Sequence, residues 1–168
     1  MTAFERLIIR KRKALIARSK IMFKAAIRDQ YIQAIKIIEN TSIDQLTERL
    51  TGAISSEPIE KAFTRTYSSA SDIAMMWRKK LLPPKKDVTE EIQETIFERS
   101  LANYALTKAG ERIVLISATT ESYIISATQK AVTTGLEEGL GISEIKDLIL
   151  ACVWLDQSMN LALVSASL

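Results

Sequence analysis

Helix breakers are scarce in this chain, and their scarcity narrows the fold more than any other feature. Five glycines and three prolines punctuate 168 residues, and the β-branched residues do not alternate with polar ones at period two, so helices rather than sheets are expected. A first helix is predicted over residues 2–39, ending near Asn40. Ser42 and Gln45 stand at capping-box spacing and open a short helix to about Thr51, with Gly52 as its stop. Ser56 caps a helix that accepts Pro58 in its first turn and runs to Leu82, where Pro83 and Pro84 end it. Asp87 and Glu90 repeat the capping-box spacing ahead of a helix to Gly110, a plausible left-handed stop. Ile113, Val114, Leu115 and Ile116 then read as an extended connector or one small strand. Thr119 or Thr120 caps a helix to about Glu138, Gly139 closes it, and residues 141–144 start the last helix. The expected fold is all-α: an extended multi-helix protein with a long N-terminal helix and a C-terminal helix-turn-helix pair. Residues 1–109 and 110–168 are its two regions, joined in one continuous unit.

Apolar spacing supports these helices. Ile59, Phe63, Ala70, Ile73, Trp77 and Leu81 fall on one side at 100° per residue, as do Ile145, Leu148, Ile149, Cys152, Leu155, Met159 and Ala162. Trp77, Trp154 and the pair Met75 and Met76 have apolar neighbours and are assigned to the core. The first helix is amphipathic. Phe4, Ile8, Leu15, Met22 and Phe23 belong to a broad apolar face, wider than one slender partner helix would cover, and so are expected at a protein interface in a homo-oligomer or larger assembly.

On the other side of that helix Arg6, Arg10, Lys13, Lys20, Lys24 and Arg28 project within roughly 80° of one another. The overall formal charge of +3 hides the asymmetry behind this stripe: residues 1–40 hold ten Lys/Arg against three Asp/Glu, or +7, and residues 41–168 hold thirteen against seventeen, or −4. Two readings follow. The stripe is a solvated face, or it contacts a polyanion, whether the DNA backbone or an acidic protein or lipid surface, by counterion release without reading sequence.

Catalytic chemistry is harder to find. The chain has no histidine and a single cysteine, Cys152, which removes Ser-His and Cys-His pairs, imidazole ligands and thiolate zinc sites. Glu90, Glu91 and Glu94, like Glu137 and Glu138, read as solvated carboxylates, because acid–base catalysis needs two groups with separated pKa values. The glycines between 135 and 141 lack the Lys-Ser/Thr ending of a phosphate loop. No catalytic residue, cofactor or metal site is expected, and the chain is read as a non-enzyme. One cysteine allows no intrachain disulfide and fits a reducing compartment. No targeting segment is read at the N-terminus. Residues 148–168 are membrane-like, but Asp156 placed centrally would cost about 2.5–3.5 kcal/mol on insertion scales, so a buried helix is expected there instead of a membrane tail.

Ile113, Ile116, Thr119 and Thr120, followed by Gly135, Gly139, Leu140, Ile142, Glu144 and Ile145, form a pattern that resembles the phage head-morphogenesis family of portal-associated minor head proteins. In that family a connector ending in Ile leads to a Thr-Thr helix start, and Gly-Leu-x-x-Gly-Leu-Ser-Ile-x-Glu-Ile opens the next helix. The resemblance covers about forty residues. Gly141 stands where the family has Ser or Thr, and Ala162 to Leu168 lacks the Arg and Glu of the family's next segment. It implies a virion structural protein that docks at the portal or inner capsid and assists head assembly or DNA packaging and ejection. Portal or capsid proteins would be its partners, with non-specific DNA contact, in the host cytoplasm during assembly and afterwards in the virion. A membrane-associated small helical protein and a helical protein-binding regulator are the alternatives that composition and amphipathicity leave open.

Overall fold

In the computed structural model the backbone is described for residues 1–81 and 90–167, and side chains for residues 1–80, 100, 103, 107 and 109–154. The chain is all-helical over this range. The order is α1 (Ala3–Asn40), a 3₁₀ turn (Ile43–Gln45), α2 (Leu46–Leu50), α3 (Glu57–Leu81), α4 (Glu90–Glu137) and α5 (Ile142–Ser167). The stop expected at Pro83 and Pro84, and the cap expected over residues 87–90, lie outside the described residues. So do the side chains of Leu81, Leu155, Met159 and Ala162, and those of Glu90, Glu91 and Glu94.

Local sequence sets most helix ends. Thr2 and Glu5 close a capping box at the start of α1, the Glu5 carboxylate accepting the Thr2 N–H at 2.6 Å and the Thr2 hydroxyl accepting the Glu5 N–H at 3.2 Å. Gly52, at φ +71°, follows α2. Gly139, at φ +70°, ends α4 with both bonds of a Schellman motif: Leu140 N–H to Gly135 O at 2.9 Å and Gly139 N–H to Leu136 O at 3.2 Å. Two residues later the Glu144 carboxylate returns to accept the Gly141 N–H at 2.8 Å, which supplies at α5 the half of a capping box that a glycine cap can still make.

Several local expectations are corrected. Gly110 does not stop a helix and residues 113–116 form neither connector nor strand, because α4 runs unbroken from Glu90 to Glu137. Ile113 and Ile116 turn inward and pack against the core while Val114 and Leu115 face solvent, so packing overrides the local β preference of the run. Thr119 and Thr120 accordingly cap nothing. Their hydroxyls donate back along α4 to the Leu115 and Ile116 carbonyls, at 2.7 and 3.0 Å, as mid-helix threonines do. Ser42 makes no side-chain cap either. The Gln45 N–H reaches its backbone carbonyl at 3.1 Å through a tight 3₁₀ turn, which leaves the hydroxyl without that role.

The four long helices close a ring of neighbours: α1 on α3, α3 on α4, α4 on α5, and α5 on α1. α1 and α3 are antiparallel, since Phe4 meets Trp77 edge-to-face at 5.5 Å and Phe23 meets Phe63 edge-to-face at 4.7 Å. α1 and α4 run the same way, with Gln30 bonded to Ser117, and the Gly139 turn sends α5 back beside the end of α1. This is an up-down-up-down bundle. Tyr31, Ile38, Leu46, Leu50, Ile59, Ile124, Ile149 and Val153 are fully buried at its centre. Ile59, Ile145 and Ile149 are therefore core, as their spacing implies. Trp77 is half-buried, but Trp154 is 47% exposed, against its expected core placement, because it lies on the outer side of α5.

The two helical glycines give opposite tests of this architecture. A Cβ on Gly135 would lie 2.6 Å from Ile145 Cγ1, whereas one on Gly110 would meet nothing within 4 Å. Gly135→Ala should lower unfolding stability by about 1–3 kcal/mol through overpacking of α4 on α5. Gly110→Ala should raise it by up to about 1 kcal/mol, the helix-propensity gain at an unobstructed mid-helix site. Urea denaturation of both variants checks the pair, and a destabilising Gly110→Ala would contradict a continuous α4.

Candidate docking surface

The apolar face of α1 is what orients its charges. Ile8 and Phe23 are buried, Phe4, Leu15 and Met22 are half-buried, and Ser19 is buried on the same side, accepting a hydrogen bond from the Thr66 hydroxyl of α3 at 3.2 Å. The five residues expected at a protein interface are thus placed toward the chain's own core, with α3 as the partner that covers Phe4 and Phe23. With this face occupied, the opposite side of α1 is fixed outward.

Arg6, Arg10, Lys13 and Arg28 are exposed there, and Lys20 and Lys24 are half-buried. The set is larger than the stripe. Lys11, Arg12 and Arg18 are also exposed, although they fall outside the arc that the ideal helical wheel selects. Charge count alone would have found them, because the first five turns carry Glu5 as their only acidic residue. Glu5 is itself occupied by the capping box. None of Arg6, Arg10, Lys11, Lys13 or Arg18 is paired with a carboxylate among the described residues. On α3, by contrast, Lys61 contacts Glu57 at 2.6 Å, and its hydrogen bond and charge hold the Glu57 carboxyl below the usual range.

Placing cations here opposes local preference. The N-terminal end of a helix carries partial positive charge, so Arg6, at the end of the first turn of α1, sits where the macrodipole disfavours it. Arg6 and Arg10, Lys20 and Lys24, and Lys24 and Arg28 are also like-charge pairs at spacing four, each costing about 0.2–0.5 kcal/mol. Exposed Ile9, Ile16 and Ile21 stand among these cations. The surface can therefore attract anionic groups over several turns and offer apolar contact beside them.

Other chemistry is sparse. Cys152 is half-buried, and among the described residues no three His, Cys, Asp or Glu side chains come together as a metal site. Glu137 and Glu138 are exposed at the end of α4. Among the described residues no helix is long and apolar enough to cross a membrane. No family model, curated protein or solved structure matches the chain.

Because Arg10 and Lys13 are exposed and unpaired with carboxylates, their charge can be removed without touching the fold. Arg10→Gln with Lys13→Gln should elute from heparin at clearly lower salt than the parent while its thermal midpoint stays unchanged, as expected for loss of screened surface attraction. Equal elution would assign both residues to a merely solvated face.

Proposed function

We propose that this chain is a non-enzymatic helical structural protein, a phage minor head component that docks at the portal or inner capsid and assists head assembly or DNA packaging and ejection. The observation that carries the docking role is the outward cationic side of α1, held against local electrostatic preference on a helix whose other side is anchored in the bundle. Cations retained at such a cost suit a surface that meets anionic groups on another macromolecule.

The phage setting rests on the resemblance around Gly135, Gly139, Leu140, Ile142, Glu144 and Ile145. In this chain those residues make a helix stop, a two-residue turn and a carboxylate-capped helix start, and Gly135 lets Ile145 approach the α4 backbone. The other matched residues, Ile113, Ile116, Thr119 and Thr120, lie inside α4 and contribute core packing and helix bonding, so the support comes from the turn.

Co-expression with phage portal and capsid proteins tests the reading directly. The chain should sediment with assembled shells or portal rings and be released at high salt, with capture weakened in the Arg10→Gln, Lys13→Gln variant. Absence of the chain from every portal and shell fraction at low salt would sink the proposal.

A further inference from the structure

The solvent side of α1 carries a second apolar row at heptad spacing, separate from the row that faces the core. Leu7, Ala14 and Ile21 recur every seven residues, with Ala3 and Ala17 at the intervening positions that complete a seam. Ala3, Ala14 and Ala17 are exposed, Leu7 is half-buried, and Ile21 is 68% exposed, the most exposed isoleucine of α1. An isoleucine this open, in line with alanines that permit close approach of another backbone, has no role in packing the bundle.

Charges flank this row on both edges. In the register that puts Leu7, Ala14 and Ile21 at position a, Arg6 and Lys13 occupy g, while Lys11 and Arg18 occupy e. Those are the positions whose charges set partner choice in coiled coils. All four side chains are exposed and none is paired with a carboxylate among the described residues. Arg10 falls at a d position within the seam, where its charge calls for an acidic or polar group on the partner helix.

We infer that residues 3–21 of α1 form half of a heterotypic coiled coil and dock an acidic amphipathic helix of another protein, one with large apolar residues at a and d and Glu or Asp at e and g. A second copy of this chain is disfavoured, because it would set lysine and arginine against lysine and arginine along both edges. A nucleic-acid backbone would use the cations but would gain little from Ile21 or the alanines. Ile9 and Ile16 lie beyond the edge marked by Arg6 and Lys13 and take no part. The inference deepens the proposed function by naming the partner's chemistry at the same surface, but it stands on the heptad register and not on the phage setting.

The test uses the full chain and a synthetic helix of three heptads with Leu or Ile at a and d and Glu at e and g. A twin peptide with Lys at e and g, a short random-sequence DNA duplex and vesicles containing phosphatidylserine serve as comparators. Calorimetry at low salt should show the Glu peptide binding at least about tenfold more tightly than the Lys peptide. Ala14→Gln with Ile21→Gln, both at exposed positions, should weaken the Glu peptide by about tenfold or more while leaving any duplex binding unchanged. Lys13→Glu with Arg18→Glu leaves Arg6 and Lys11 against two glutamates, so the preference for the Glu peptide should largely disappear. The inference is overturned if the Glu peptide does not bind, or if its binding ignores the Ala14 and Ile21 changes and follows charge alone, the mark of a general polyanion surface. It is also overturned if that double variant instead abolishes vesicle binding or a self-association of the chain. Portal or shell capture that persists when the peptide result is negative would remove this inference and leave the proposed function standing.

Discussion

The buried amide of Gln30 is the constraint on which the arrangement of the bundle depends. Its Nε2 donates to the Ser55 carbonyl at 3.0 Å and to the Ser117 hydroxyl at 3.1 Å, which ties α1 to the loop before α3 and to the middle of α4. Nearby, the Ser55 N–H reaches the Gln33 side chain at 3.0 Å and the Gly52 N–H reaches Glu121 at 2.9 Å, so the same loop is fastened twice more to the same two helices. Leaving a buried amide donor unsatisfied costs about 1–3 kcal/mol, so a slip of α1 along α4 by one turn is disfavoured even where apolar contacts would tolerate it. With that level fixed, Tyr31 and Ile38 meet Leu50, Ile59, Ile124 and Ile149 in one cluster. Gln30 Oε1 finds no donor among the described residues, so the amide is better understood as setting register than as adding net stability.

Features decided within a turn or two of chain were legible in the sequence. Gly52 and Gly139 adopt the left-handed backbone that a helix stop requires, Pro58 sits in the first turn of α3, and Glu144 caps α5. Features decided by distant neighbours were not. Gly110 and the run from Ile113 to Ile116 argue locally for a break, yet Ala109 is buried and Ile113 and Ile116 pack on the core, so tertiary contacts carry α4 straight through. Threonine illustrates the same limit: its hydroxyl can cap a helix start or bond back inside a helix, and only the course of α4 tells which for Thr119 and Thr120. The 3₁₀ turn after Ser42 is a similar case, since the spacing to Gln45 suits a capping box and the backbone makes the bond instead.

The candidate surface was half legible for a related reason. Period 3.6 identifies an apolar side of α1, but not what covers it, and the cover turns out to include the chain's own α3 through Trp77 and Phe63. An ideal wheel also assumes that one narrow arc faces solvent along the whole helix. In the first half of α1 the inward residues are confined to a single edge, Phe4, Ile8, Leu15 and Ser19, so most of the circumference is open and Lys11, Arg12 and Arg18 join the cations. Further along, Gln30, Tyr31, Ala34 and Ile38 are buried on a different side as α5 and the α2 segment close in. The exposed cationic surface is therefore concentrated toward the N-terminal half, a distribution that charge counting indicates and periodicity alone does not.

That concentration links the two halves of α1 energetically. A helix with ten basic residues in its thirty-eight, several of them in like-charge pairs at spacing four and Arg6 at the positive end of the macrodipole, would be weakened in isolation. The bundle removes the difficulty at the other face, where the Phe4–Trp77 and Phe23–Phe63 contacts and the burial of Ile8 hold the helix against α3. Edge-to-face aromatic pairs contribute about 0.5–1.5 kcal/mol each beyond their buried area, comparable with the summed repulsion of the adjacent cations. Stability supplied from the core thus lets the outer side depart from what favours the helix locally. It also holds the cations on a rigid element, so that a partner meeting them need not first order the helix that presents them.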